Sequence, residues 1–326
     1  LQDLISDQLK DTEIVSLLSW LKEYEGPDLM KHPDLKVNLK ELGALLSSEV
    51  EAKLKMQYLD TMRTNIQTWM QNTIQTDIKD WYRDTEPEAD GDGYFLTQLP
   101  VILFQMIEQN LQVATHISEH LTINVLLLCI ENIGSFVKMY RDAIIKYKNK
   151  HLEDRSQPQF YIHYMIAIIN NCQKFTEFTE QLEIRHTSSN ATNTSHCQPV
   201  VIDFDKLATE TYRLLLDEVF LDLESHLQQI LTRTWHQLKP SNAVDTICIT
   251  MEDYYNDFVH LKPKYCKRLI NDAQYTIALS YIKALTEKRM VFKSYDERKS
   301  AAEKIEREAE QLELLFQKLA PDNNPK

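Results

Sequence analysis

The chain has 326 residues, 43% of them hydrophobic, with only 5 glycines and 10 prolines and a net charge of −13. That composition builds a globular core rather than a disordered chain. The scarcity of glycine disfavours β-rich or glycine-loop folds, and the acidic balance disfavours nucleic acid as a partner.

Along the chain the pattern is helical. Asp11–Tyr24 carries Ile14, Leu17, Leu18 and Leu21 on one face, and Gly26-Pro27 stops it. Residues 27–40 read as an irregular linker. Ser48, with Glu51 three residues on, reads as a capping box opening a long helix to about Tyr82. Its expected seam is Leu59, Met62, Ile66 and Trp69. Asp84–Gly93 is a break, followed by helices at about 96–118 and 120–150. Arg155–Pro158 breaks the chain again, and Phe160 to about Ile184 is the next helix.

Thr187–Pro199 is polar and aperiodic, so the chain divides into a helical-bundle region at 1–186, a loop at 187–200 and a second bundle region at 201–326. The second holds a helix from about Asp203 that Pro240 should end, helices near 242–260 and 263–291, and a final helix. Ser294 and Glu297 form a second capping box before that last helix, whose expected seam is Ile305, Ala309, Leu312, Phe316 and Leu319. The fold class is all-α: an elongated rod of consecutive antiparallel bundles. No apolar run reaches the roughly 20 residues of a membrane-spanning helix. Leu1 is not an initiator methionine, and the chain opens inside an amphipathic pattern, as an internal piece of a longer protein would.

Few residues suggest chemistry. The cysteines Cys129, Cys172, Cys197, Cys248 and Cys266 form no CxxC pair and read as reduced thiols of a cytoplasmic protein. On that reading the sequons at Asn190 and Asn193 carry no glycan. His116, Glu119 and His120 form an H-x-x-E-H string, the spacing of an inverted zinc-peptidase motif if one helix carries all three. Two histidines on a solvated helix face are the plainer reading, and no metal or other cofactor is expected. Glu86–Thr97 is similar to a calcium loop but has Thr97 where the bidentate glutamate should stand. No nucleophile triad or phosphate loop occurs, so catalysis is not expected.

One segment departs in charge. Residues 260–299 carry ten lysines and arginines against four acids, which is +6 within an acidic chain. Lys262, Lys264, Lys267, Arg268, Lys288, Arg289 and Lys293 are the candidate contact residues, for an acidic partner helix or an anionic lipid surface. Solvated helix faces are the alternative.

Five long strings carry a family resemblance: DTEPEADGDGYFLTQLPVILFQMIEQNLQVA (84–114), YMIAIINNCQKF (164–175), LLLDEVFLDLESHL (214–227), SNAVDTICITMEDYYNDF (241–258) and ERKSAAEKIEREAEQLELLFQKLA (297–320). In order along the chain, they resemble the exocyst complex component 3 family, the Sec-six subunit. The resemblance implies a non-enzymatic scaffold of the exocyst that tethers secretory vesicles at the plasma membrane before SNARE-mediated fusion. Its implied partners are other exocyst subunits and SNARE proteins, with a cytoplasmic location at sites of secretion. It implies no catalytic or ligand residues. The family's pairing segment and last lobe fall outside this sequence, so the piece itself is expected to be monomeric. A membrane-remodelling paralogue of the same family, acting through direct lipid binding, is the second reading; a zinc hydrolase is the third.

Overall fold

The computed structural model describes residues 9–35, 39–186, 195–237 and 242–320. Their regular structure is almost wholly α-helical: α1 (Asp11–Tyr24), α2 (Leu39–Leu42), α3 (Ser48–Asp80), α4 (Leu99–Ile117), α5 (Glu119–Glu153), α6 (Tyr161–His186), α7 (Gln198–Gln229), α8 (Arg233–Gln237), α9 (Asn242–Phe258), α10 (Pro263–Thr286) and α11 (Tyr295–Leu319). A two-stranded antiparallel hairpin interrupts them between α3 and α4. Its strands are β1 (Glu88–Ala89) and β2 (Phe95–Leu96), with Glu88 opposite Leu96 and Ala89 opposite Phe95.

The described residues gather into two compact units that do not follow chain order. The first takes residues up to Asp80, Gln98–Lys146 and Gln173–Lys206; the second takes Trp81–Thr97, Tyr147–Cys172 and Leu207 onward. Residues 187–194 and 238–241, with both sequons and Pro240, lie outside the described residues.

In the first unit α1, α3 and α4 pack on one another. The buried stripe of α3 is Leu54, Tyr58, Met62, Ile66, Met70 and Ile74. It steps by four throughout, the ridge that ordinary helix packing interdigitates. The expected seam members Leu59 and Trp69 lie half-buried on its flanks instead. The cap of α3 is also one residue earlier than expected: Ser47 Oγ accepts from the Val50 N–H at 3.3 Å. Deeper in this unit Phe175 is the hub of an aromatic cluster, stacked on Phe204 at 4.7 Å and meeting Phe136 at 5.4 Å and Tyr140 at 5.9 Å. By length and composition α5 could cross a membrane, but 61% of its most apolar window is buried inside the fold, as in a core helix.

In the second unit the α7 helix stops at Gln229, well short of Pro240, because Leu231 turns into the left-handed region at φ 59°. Such a backbone costs about 1–2 kcal/mol. Burial of Ile230 and Leu231 offsets it. The α11 helix begins on its expected cap, with Ser294 Oγ accepting from the Glu297 N–H at 3.1 Å. The side chain of Glu297 reaches back to the Lys293 N–H, one residue before the position a capping box would use. Its buried face differs from the expected seam. Ala301, Lys304, Glu308, Leu315 and Leu319 point inward with Phe316, while Ile305, Ala309 and Leu312 line a groove of ≈ 360 Å³ shared with Ala278, Ile282 and Leu285 of α10.

Candidate interaction surface

The positively charged segment begins where three elements of the second unit are tied together. Asn170, fully buried on α6, donates through Nδ2 to the carbonyls of Phe95 and His260, both at 2.9 Å. Its Oδ1 accepts from the Lys262 N–H at 2.9 Å. The neighbouring Asn171 exchanges two hydrogen bonds with Thr97. The His260 ring stacks on Phe95 at 4.0 Å and its Nδ1 donates to the Gly93 carbonyl at 2.6 Å. Gly93 has φ 87°, a conformation only glycine adopts cheaply, and so the hairpin can turn there.

This clamp accounts for the calcium-like loop. Asp90 Oδ1 accepts from the N–H groups of Asp92 and Tyr94, and Oδ2 from Lys262 at 3.5 Å. Burial alone would raise the Asp90 carboxyl; those backbone N–H groups and the ammonium outweigh it and hold the group below the usual range. The loop's acid is spent on its own turn.

Lys262 therefore faces inward, with its ammonium 4.4 Å from the centre of the Tyr94 ring. Lys264, Lys267 and Arg268 are exposed on the first turns of α10, where Arg268 lies over the Tyr212 ring. Further along the same helix Tyr275, Leu279 and Ile282 are 69%, 50% and 56% exposed. The i, i+4, i+7 spacing puts these three on one face, which runs back to Lys264 and Arg268. The remaining candidates lie past the end of α10, about 30 Å of helix away. There Arg289 donates to the carbonyls of Leu227 and Gln228 at the end of α7, and Lys288 and Lys293 are exposed. The seven residues thus fall into one inward lysine, one exposed cluster and one distal group.

The zinc-peptidase reading fails on geometry. Ser118, with φ −164° and ψ 151°, separates α4 from α5, so His116 ends one helix while Glu119 and His120 begin the next. His116 Nε2 faces Glu23 at 3.6 Å and His120 Nδ1 meets Asn124 at 3.2 Å. Among the described residues no group of three or more metal-ligating side chains converges. Burial pushes the thiols of Cys129 and Cys197 up to about 12, so neither is a ready nucleophile.

Two buried charged networks, unannounced by local sequence, hold the second unit. Glu308 accepts from Trp235 Nε1 at 2.9 Å and from the Tyr281 hydroxyl at 2.6 Å. Its helix neighbour Lys304 donates to the Trp235 carbonyl and lies over that indole ring. Around Glu218, His151 and Arg155 converge, and Arg155 also donates to Asp222 at 2.8 Å.

A family model described as Exocyst complex component Sec6 matches residues 1–326. The chain belongs to the Sec6 family. Exocyst complex component 3 of Drosophila melanogaster is 35% identical over 98% of this chain and 43% of its own length. An exocyst complex component 3-like protein of Danio rerio is 31% identical over 97% of this chain and 41% of its own. The chain thus spans less than half the length of these relatives. Two solved structures share the helical fold: the C-terminal domain of the exocyst subunit Sec6p, with a TM-score of 0.75, 19% identity and coverage of 86% of this chain and 75% of that one, and M-Sec, with 0.74, 19%, 98% and 53%. The strings that carried the resemblance in the sequence build this family fold. The segment 84–114 holds the hairpin and most of α4, and 242–258 forms α9.

Proposed function

We propose that the chain is a scaffold segment of an exocyst subunit, acting without catalysis in tethering secretory vesicles to the plasma membrane before SNARE-mediated fusion. The observation that carries this reading is the Sec6 family match over residues 1–326. Packed helices with fixed surface patches suit such a role, since a tether needs stiffness and contact area rather than a pocket. Its partners on this reading are other exocyst subunits and SNARE proteins, and its place is the cytoplasmic side of secretion sites. Lys264, Lys267 and Arg268, with Tyr275, Leu279 and Ile282 beyond them, form the proposed contact stripe, where an acidic helix with an apolar edge would find both charge and apolar area.

Affinity purification of the tagged full-length protein from cells tests this. Exocyst subunits should co-purify with it, and the triple variant Lys264→Glu, Lys267→Glu, Arg268→Glu should weaken that association. A full-length protein recovered without any exocyst subunit contradicts the proposal.

The exposed cations also favour a second reading, direct binding of anionic lipid. Flotation with vesicles containing phosphatidylserine distinguishes it: the triple variant should then lose vesicle binding while its exocyst partners stay bound.

A further inference from the structure

His151 ends α5 in its last turn and is 3% exposed. Its ring stacks on Tyr161 at 3.7 Å, with the planes 5° apart. Nδ1 lies 3.0 Å from the Gln157 carbonyl oxygen and Nε2 lies 3.2 Å from Glu218 Oε1. A backbone carbonyl can only accept a hydrogen bond, and so can an ionised carboxylate. Glu218 is ionised here, because Arg155 donates to the same oxygen through Nε at 2.7 Å. Both ring nitrogens of His151 therefore stand opposite acceptors, and a ring that donates from both is an imidazolium.

The surroundings favour that charge. The α7 helix presents Glu218, Asp222 and Asp217 to this region, and the 154–158 turn presents Asp154 and Arg155. Tyr161 of α6 contributes a neutral ring, and Tyr254 of α9 donates its hydroxyl to Asp222 Oδ2 at 2.6 Å. Lys148 of α5 lines the same cleft as Glu218 and Tyr161. Without a proton on His151, the hydrogen-bonded core of Glu218, Asp222 and Arg155 holds two anions against one cation. With it, the four charges balance. The negative end of the α5 dipole also favours a cation in that last turn.

We propose that His151 is a proton-bearing latch, whose doubly protonated ring ties the 154–158 turn to Glu218 of α7 and, through Arg155 and Asp222, to Tyr254 of α9. Loss of one ring proton leaves a nitrogen lone pair facing an oxygen inside the fold and removes one strut of the network. With both nitrogens paired, the ring holds the turn against α7.

Long-range proton–nitrogen NMR on the full-length protein, labelled with 15N-histidine, tests the proton directly. The His151 ring is recognised by its contacts to Tyr161. At about pH 7.5 both its nitrogens should resonate as protonated, in the range typical of imidazolium. A ring with one bare nitrogen at that pH overturns the proposal. Thermal midpoints give a second readout: at about pH 7.5 His151→Gln should melt several degrees below the wild type, because a neutral amide brings no positive charge to Glu218. Equal midpoints in the two proteins overturn the latch.

Discussion

The two compact units keep their buried polar groups in different ways. In the first, Thr122, Asn132 and Thr179 are buried, yet each bonds a carbonyl four residues back in its own helix. Asp77 of α3 is buried there too, and the remainder of that interior is dominated by aliphatic and aromatic side chains around Phe175. In the second, buried His151, Asn170, Glu218 and Glu308 reach residues 67 to 90 positions away on other elements. One interior is specified mainly by volume and the other mainly by groups paired across elements. The difference matters because a buried pair is worth little net, whereas breaking one is expensive.

Substitutions that conserve size test this contrast. The largest effect is expected at Glu308, where Glu308→Leu leaves the Trp235 indole and the Tyr281 hydroxyl without their acceptor and removes the buried carboxylate one helical turn from Lys304. A loss of about 3–5 kcal/mol in urea denaturation is expected. The double change Glu308→Leu, Lys304→Met should recover most of that loss. If the single and double variants are equally unstable, the network is not the source.

Next comes Asn170→Leu, close to isosteric but lacking all three bonds of the hairpin clamp. It should cost about 1–3 kcal/mol for each group left unpaired, less whatever water recovers. Hydrogen exchange should show the amides of Asp90–Phe95 opening first. Unchanged protection there would mean that the Lys262–Asp90 contact and the Phe95–His260 stack hold the hairpin alone.

In the first unit Leu103 is fully buried on α4, and Leu103→Met should cost less than about 1.5 kcal/mol, because a volume-conserving swap keeps the packing. A cost there matching Asn170→Leu would erase the distinction between the units. The smallest expected pair concerns the start of α3. Ser47→Ala should lose about 1 kcal/mol of capping, and Ser48→Ala should stay within about 0.5 kcal/mol. Equal values would put the cap back on Ser48.

Legibility from sequence follows the same division. Helix α1 was readable to its ends, and α4 to α6 to within a few residues, because apolar period and breakers such as Gly26-Pro27 and Pro158 are local signals. The α7 stop was not readable, since Leu231 carries no turn signature and is held by burial. Lys304 and Glu308 look like solvated positions on an acidic helix, and the indole and carbonyl of Trp235 together with the Tyr281 hydroxyl make their burial tolerable. His116, Glu119 and His120 stood out because they are adjacent in sequence, yet Ser118 divides them. His151 and Glu218, 67 residues apart, did not stand out and are in contact. Of the seven basic candidates, Lys262 could not be sorted from Lys264 by charge alone; what separates them is the acid at Asp90 and the ring of Tyr94.

On the proposed function, this Sec6-family chain works as a contact-bearing segment of the exocyst. Crosslinking mass spectrometry of the assembled complex, containing the full-length protein, tests it most directly. Crosslinks from Lys264 and Lys267 of α10 to a different subunit are expected. A complex assembled without this protein, or one in which those lysines link only to their own chain, would contradict it.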